Sequence, residues 1–185
     1  EARLNQADLR EANLNAANAS GANLSWANLE RAHMPHALLS GANLGGAQMT
    51  DADLTSALLD DANLIEATLL KGVLSGAVLR DADLSGADLG ASNLTEADLS
   101  GCALTRARLV GANLSWAKLG GARLSRADLT DAVLSGAEMN QADLRNATLR
   151  GANLAGAVMT WADLSRAKLC QATLSGANLC ESDLT

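Results

Sequence analysis

Gly21-Ala22-Asn23-Leu24-Ser25 recurs letter for letter at Gly111-Ala112-Asn113-Leu114-Ser115, and its first four residues return at Gly41, Gly151 and Gly176. The unit of five runs through all 185 residues without an insertion or a deletion. Counting in fives from Ala2, every position is Ala except Gly72, Ser92, Cys102 and Ser182. Counting in fives from Leu4, every position is Leu except Ala19, Met34, Met49, Met139 and Met159. A period of five matches neither the 3.6 of an α-helix nor the 2.0 of a strand. Within one unit, however, Ala and Leu stand two apart, as side chains on one face of an extended segment do. The residue between them must point the other way. The two positions after Leu are dominated by Ser, Thr, Gly, Asp and Arg and read as a turn. Each unit is a very short strand and a corner. One unit cannot bury its own Leu, but a stack of units can, which is the logic of a solenoid.

The irregularities set the number of units per coil. Leu38, Leu58 and Val78 break the Asn/Asp preference of the central position at steps of twenty, and Met139 and Met159 are spaced the same way. Twenty residues are four units, so the coil has four sides, numbered in chain order: in the first coil residues 1–5, 6–10, 11–15 and 16–20, and every twenty residues thereafter. About nine such coils, at the ~4.8 Å spacing of paired strands, make a rod roughly 43 Å long.

The run Ala-(Asn/Asp)-Leu-X-X, as in Ala27-Asn28-Leu29 and Ala82-Asp83-Leu84, resembles the pentapeptide-repeat proteins over the whole chain. The resemblance implies an all-β fold, a right-handed quadrilateral parallel β-helix with Leu and the small residue turned inward. It also implies non-enzymatic work: some members bind DNA gyrase as mimics of DNA, generally as dimers joined at their C-terminal ends. Many members place Phe at some central positions; this chain has no Phe, so its core should be uniform in width. Residues 1–185 are expected to form a single repeat domain taken from a longer chain with flanking caps or domains.

Composition agrees with a narrow tube. Hydrophobic residues make up 48% of the chain and aromatic residues only 2%, too few for an ordinary globular core. No apolar run approaches the length that spans a membrane, and no membrane partner is expected. Cys102 falls in a core column, whereas Cys170 and Cys180 fall at corners of opposite sides, so unpaired thiols in a reducing, cytoplasmic compartment are expected. The excess of Arg over Lys, with much Ala and Gly, hints at a GC-rich bacterial genome.

No catalytic constellation can be assembled. His33 and His36 flank one corner, but no third ligand is predictable beside them, so no metal and no cofactor is expected. The many Asp residues lie on a convex surface, and a filled tube offers no pocket in which to shift their pKa values. The expected protein is not an enzyme.

The surface carries three candidate features. The first is an acidic column, Asp143, Asp163 and Asp183, which stacks at the strand spacing and either pairs with nearby Arg or imitates the phosphates of DNA. Asn23, Asn43 and Asn63 share that column and read as an amide ladder. The second is a basic cluster on the second side: Arg106, Arg108, Arg126, Arg150, Arg166 and Lys168. The net charge of −7 argues against direct nucleic-acid binding there. The third is an apolar girdle: Ile65, Leu70, Val73 and Val78, at outward positions on four different sides of one coil, with Leu38 and Leu58 continuing it from Val78 along the same side; it reads as a contact surface for a protein partner. Trp26, Trp116 and Trp161 sit at corners of three different sides, each expected to lie along the neighbouring coil. Three functions remain in play: a rigid scaffold for protein–protein interaction, a DNA mimic that binds gyrase or another topoisomerase, and an architectural spacer in a larger protein. Uncapped ends of equal cross-section also lead to the expectation of an end-to-end homodimer.

Overall fold

The computed structural model describes residues 2–185; Glu1, which the sequence puts on the acidic first side, lies outside them. Among the described residues every β-bridge is parallel and joins residue i to residue i+20, from Arg3–Asn23 to Asp163–Asp183. The chain therefore makes one circuit in twenty residues, with a turn after each Leu and four turns per circuit. It is a β-helix solenoid, with no helix among the described residues.

The unit Gly111–Ser115 shows why five residues suffice. The Gly111 N–H donates to Thr130 O in the next coil at 2.9 Å, Leu114 N–H to Val133 O at 2.7 Å, and Asn113 N–H to Ser92 O in the coil before at 2.9 Å. The Ala112 N–H closes the preceding corner on Leu109 O at 3.0 Å. One donor is left, the N–H of Ser115, and Asn113 Oδ1 accepts it at 3.1 Å. All five N–H groups of the unit are thus paired, as burial demands. The first residue of every unit from Gln6 to Glu181 adopts a left-handed backbone conformation, whether it is Gly (Gly111, φ 65°) or not (Arg106, φ 61°). Side chains other than Gly pay a penalty there, which the ladders on both sides of each corner over-determine.

The Ala and Leu columns fill the interior. From Ala22 to Leu164 they are at most 2% exposed, the four Met residues included. Each buried Leu contributes about 1.5–3 kcal/mol against leaving it in water. Three polar residues enter the Ala column and all are satisfied: Ser92 Oγ donates to Leu89 O at 2.7 Å, Cys102 Sγ to Leu79 O at 2.8 Å, and Ser182 Oγ to Leu179 O. Burial pushes the Cys102 thiol up to about 12. In the first coil Leu4, Leu9, Leu14 and Ala19 are half-buried, as are Leu169, Leu174 and Leu179 in the last.

Candidate interaction surfaces

The central residue of each unit points outward, and its role depends on its chemistry. Wherever it is Asn or Asp, its Oδ1 accepts the N–H of the residue two further on, closing the corner. Asn28 does this for Glu30 at 3.1 Å, Asp53 for Thr55 at 3.0 Å and Asn93 for Thr95 at 3.1 Å. Where Ser or Thr follows, its hydroxyl often donates to the same oxygen, as Thr95 and Ser115 do at 2.7 Å. This is the Asx-turn, and it explains the repeat's preference better than exposure alone. The signal was readable as Asn/Asp two positions before Ser/Thr, and the sequence reading missed it.

The acidic column is largely occupied by this task. Asp143 receives Arg145 through two bonds of 2.8 Å, and the same guanidinium reaches Asp163 at 3.6 Å. The Arg145 side chain holds the Asp143 carboxyl below the usual carboxylate range. Asp163 Oδ1 accepts the amide of Ser165 at 3.0 Å and also its hydroxyl, and Asp183 accepts the Thr185 amide at 2.9 Å, which lowers the Asp183 pKa. Of the expected amide ladder one rung is made, Asn63 Nδ2 to Asn43 Oδ1 at 3.1 Å; the Asn oxygens serve mainly as corner acceptors.

The basic cluster divides in two. Arg108 is committed to Asp88 at 3.0 Å. Arg106, Arg126, Arg150, Arg166 and Lys168 are exposed, and among the described residues none is in an ion pair. Of the apolar girdle, the bridges bring together only Leu38, Leu58 and Val78, in three successive coils of the fourth side. Leu58 is 37% exposed and Ile65 40%, whereas Leu38, Leu70, Val73 and Val78 are half-buried. Leu70 lies against Gly90, and Ile65 opens onto the corner that also carries Arg106 and Arg126.

Trp26 and Trp116 each lie flat over a glycine of the next coil. A Cβ on Gly46 or on Gly136 would stand 2.5 Å from the ring above it. His33 Nδ1 faces Asp53 at 3.1 Å; the burial that raises the Asp53 pKa is outweighed by Thr55 and His33, so its carboxyl titrates low. Among the described residues no three His, Cys, Asp or Glu side chains gather as metal ligands. Among the described residues no helix is long and apolar enough to cross a membrane.

A model of pentapeptide repeats matches the chain in eight copies, together covering residues 1–34, 36–69, 57–95, 73–109, 88–126, 107–146, 127–166 and 162–185. The chain belongs to the pentapeptide-repeat family. Among solved structures it is similar to HetL, a pentapeptide repeat protein involved in heterocyst differentiation regulation in the cyanobacterium Nostoc sp. strain PCC 7120. The two are 35% identical over 95% of this chain and 88% of HetL, with a TM-score of 0.44. QnrB1, a plasmid-mediated fluoroquinolone resistance protein, is 20% identical over 100% of this chain and 92% of its own, with a TM-score of 0.53. A family member from the Arabidopsis thaliana thylakoid lumen is 33% identical over 50% of this chain and 65% of its own, at a TM-score of 0.29. No curated protein is significantly similar to the chain.

Proposed function

We propose that this family member is a non-enzymatic rigid scaffold for a protein partner, built as a right-handed quadrilateral β-helix of about nine coils in one domain. The observation that carries the reading is the column Leu38, Leu58, Val78. In the same column Asn18 and Asp98 close their corners by accepting the amides of Ser20 and Ser100 at 3.1 and 3.2 Å. The three apolar residues have no such acceptor to offer, and among the described residues the N–H groups of Ser40, Asp60 and Arg80 have no other acceptor. Three successive corners of this side therefore lack the side-chain acceptor, as do other corners such as those of Ser75 after Val73 and Ser135 after Val133, but only here does the lack run through three bridged coils as an outward apolar strip. Such a strip serves contact better than it serves the coil itself. Val73 belongs to the same girdle on the adjoining third side, and Leu70 on the second. Three unpaired thiols, one of them buried, accord with a reducing compartment, and we place the scaffold in the cytoplasm.

The test replaces Leu38, Leu58 and Val78 together by Asn, which restores the corner acceptors. Affinity capture from the native proteome should retain a defined set of proteins on the unaltered chain and lose it on the triple variant, with the circular dichroism unchanged. The same set on both would overturn the reading.

The alternative role of a DNA mimic that binds gyrase or another topoisomerase would draw on Asp143, Asp163 and Asp183 as phosphate mimics. Those carboxylates already serve Arg145, Ser165 and Thr185, so their charge is partly neutralised and their geometry is set by the corners. A gyrase supercoiling assay at micromolar protein should show no effect. A purely architectural spacer would tolerate the triple Asn substitution without losing any captured protein.

A further inference from the structure

Trp26, Glu66, Arg106, Arg126 and Arg166 stack along the corner between the first and second sides. Three shallow depressions lie along it, of about 320, 530 and 500 Å³, and each shares two residues with the next: Ile65 and Glu66 join the first pair, Arg145 and Asn146 the second. They form one groove parallel to the rod axis. Its two halves have opposite chemistry. Towards the N-terminal end it is walled by Trp26, 60% exposed, and Ile65, 40% exposed. Past Glu66 it is walled by Arg106, Arg126 and Arg166, none of them in an ion pair among the described residues. The floor of the basic half is a row of hydroxyls, with Thr105 Oγ1 and Ser125 Oγ 3.5 Å apart.

We propose that this corner groove binds an extended acidic segment of a partner protein, with apolar side chains over Trp26 and Ile65 and carboxylates along Arg106, Arg126 and Arg166. From the coil of Trp26 to that of Arg166 is seven circuits of twenty residues. At ~4.8 Å per circuit that is about 34 Å, which an extended segment of roughly ten residues spans. Guanidinium groups one and two coils apart meet carboxylates spaced along such a segment, and the hydroxyl row offers its backbone donors and acceptors. Charge selects a polypeptide over nucleic acid. The chain carries a net −7, so a long polyanion is repelled beyond the groove, whereas a short acidic segment ends where the groove does. The basic half also holds no aromatic ring on which a base would stack.

The proposal rests on the scaffold reading but uses a different surface from the Leu38–Leu58–Val78 strip, so the two fail separately. The probes are two fluorescein-labelled decapeptides, one of glutamate alone and one with two leucines ahead of a glutamate run, and a decathymidylate. Fluorescence anisotropy should show salt-sensitive binding of both peptides, tighter for the leucine peptide. Arg106→Gly/Arg126→Gly/Arg166→Gly removes the charges at positions whose left-handed backbone (φ 61°, 61° and 59°) suits Gly, so the variant folds. It should weaken both peptides at least about tenfold. Ile65→Ser should weaken the leucine peptide alone, and the triple Asn variant of the fourth side should leave binding unchanged. No peptide binding by the unaltered chain at millimolar peptide and low salt, equal binding by the triple Gly variant, or tighter binding of decathymidylate would each overturn the proposal.

Discussion

Gly41 and Gly46 make a controlled pair. Both take the left-handed conformation, each at φ 66°. A Cβ on Gly41 meets nothing within 4 Å, whereas one on Gly46 would stand 2.5–2.6 Å from three ring atoms of Trp26. Gly41→Ala therefore measures the backbone alone and should cost about 1–2 kcal/mol. Gly46→Ala carries the same backbone cost and must also expel the indole. Trp26 is 60% exposed, so at most about 100 Å² of its roughly 250 Å² is covered. Losing all of that contact is worth up to about 2.5 kcal/mol. Gly46→Ala should thus destabilise by about 1–2.5 kcal/mol more than Gly41→Ala. In a Trp26→Ala background the two should become equal. The assay is urea denaturation followed by circular dichroism, with the midpoint and slope fitted together because a repeat array can lose two-state behaviour. Equal costs in the unaltered background would show that Trp26 does not lie on Gly46.

The corner acceptors and the interior yield further expectations. Asn113→Ala removes the acceptor of both the Ser115 amide and its hydroxyl and should cost about 0.5–2 kcal/mol by the same denaturation, whereas Asn113→Asp keeps it and should cost under about 0.5 kcal/mol. Asp8 is lowered to about 2, chiefly by the Arg10 side chain, and Asp53, Asp143 and Asp183 are also lowered. A depressed carboxyl adds stability that is present above its unfolded pKa of about 3.9 and is lost as pH falls through the folded value. The melting temperature should therefore drop between pH 4 and about pH 2, and Asp53→Asn with Asp143→Asn, which keep the corners closed, should flatten that drop. Leu104, fully buried, should not tolerate Asp: an unpaired carboxylate in the tube should melt neighbouring coils together and lower the ellipticity, since each coil is held only by the next.

The parts of the fold legible in the sequence are those that composition repeats. The Ala and Leu columns show which side chains face in, and the twenty-residue spacing of Leu38, Leu58 and Val78 shows the circuit that the bridges make. The resting places of Trp26 and Trp116 over the next coil also follow from their corner positions. What the pattern hides is pairing. Asn23, Asn43 and Asn63 look like a ladder because they stack, yet each oxygen accepts the amide two residues on, and only Asn43 also accepts a rung from the next coil. For Asp143 and Asp163 the sequence leaves pairing with Arg and phosphate mimicry both open, and only the bend of the corner, which brings the Arg145 guanidinium back onto them, decides for pairing. Ile65 and Arg106 belong to different lists by chemistry and lie two coils apart; the corner column alone puts them in one groove.

Residue-resolved amide hydrogen exchange of the folded protein tests the central claim most directly, that Leu38, Leu58 and Val78 leave their corners open in order to present an apolar strip. The amides of Ser20, Ser25, Thr95, Ser100 and Ser115, each accepted by an Asn or Asp two residues before, should exchange slowly. Those of Ser40, Asp60 and Arg80 should exchange fast at the same pH and temperature, although the coils around them are intact. Equal protection at Ser40, Asp60 and Arg80 would mean that these amides have acceptors after all. The apolar column would then give up nothing, and the argument for a contact surface there would fall.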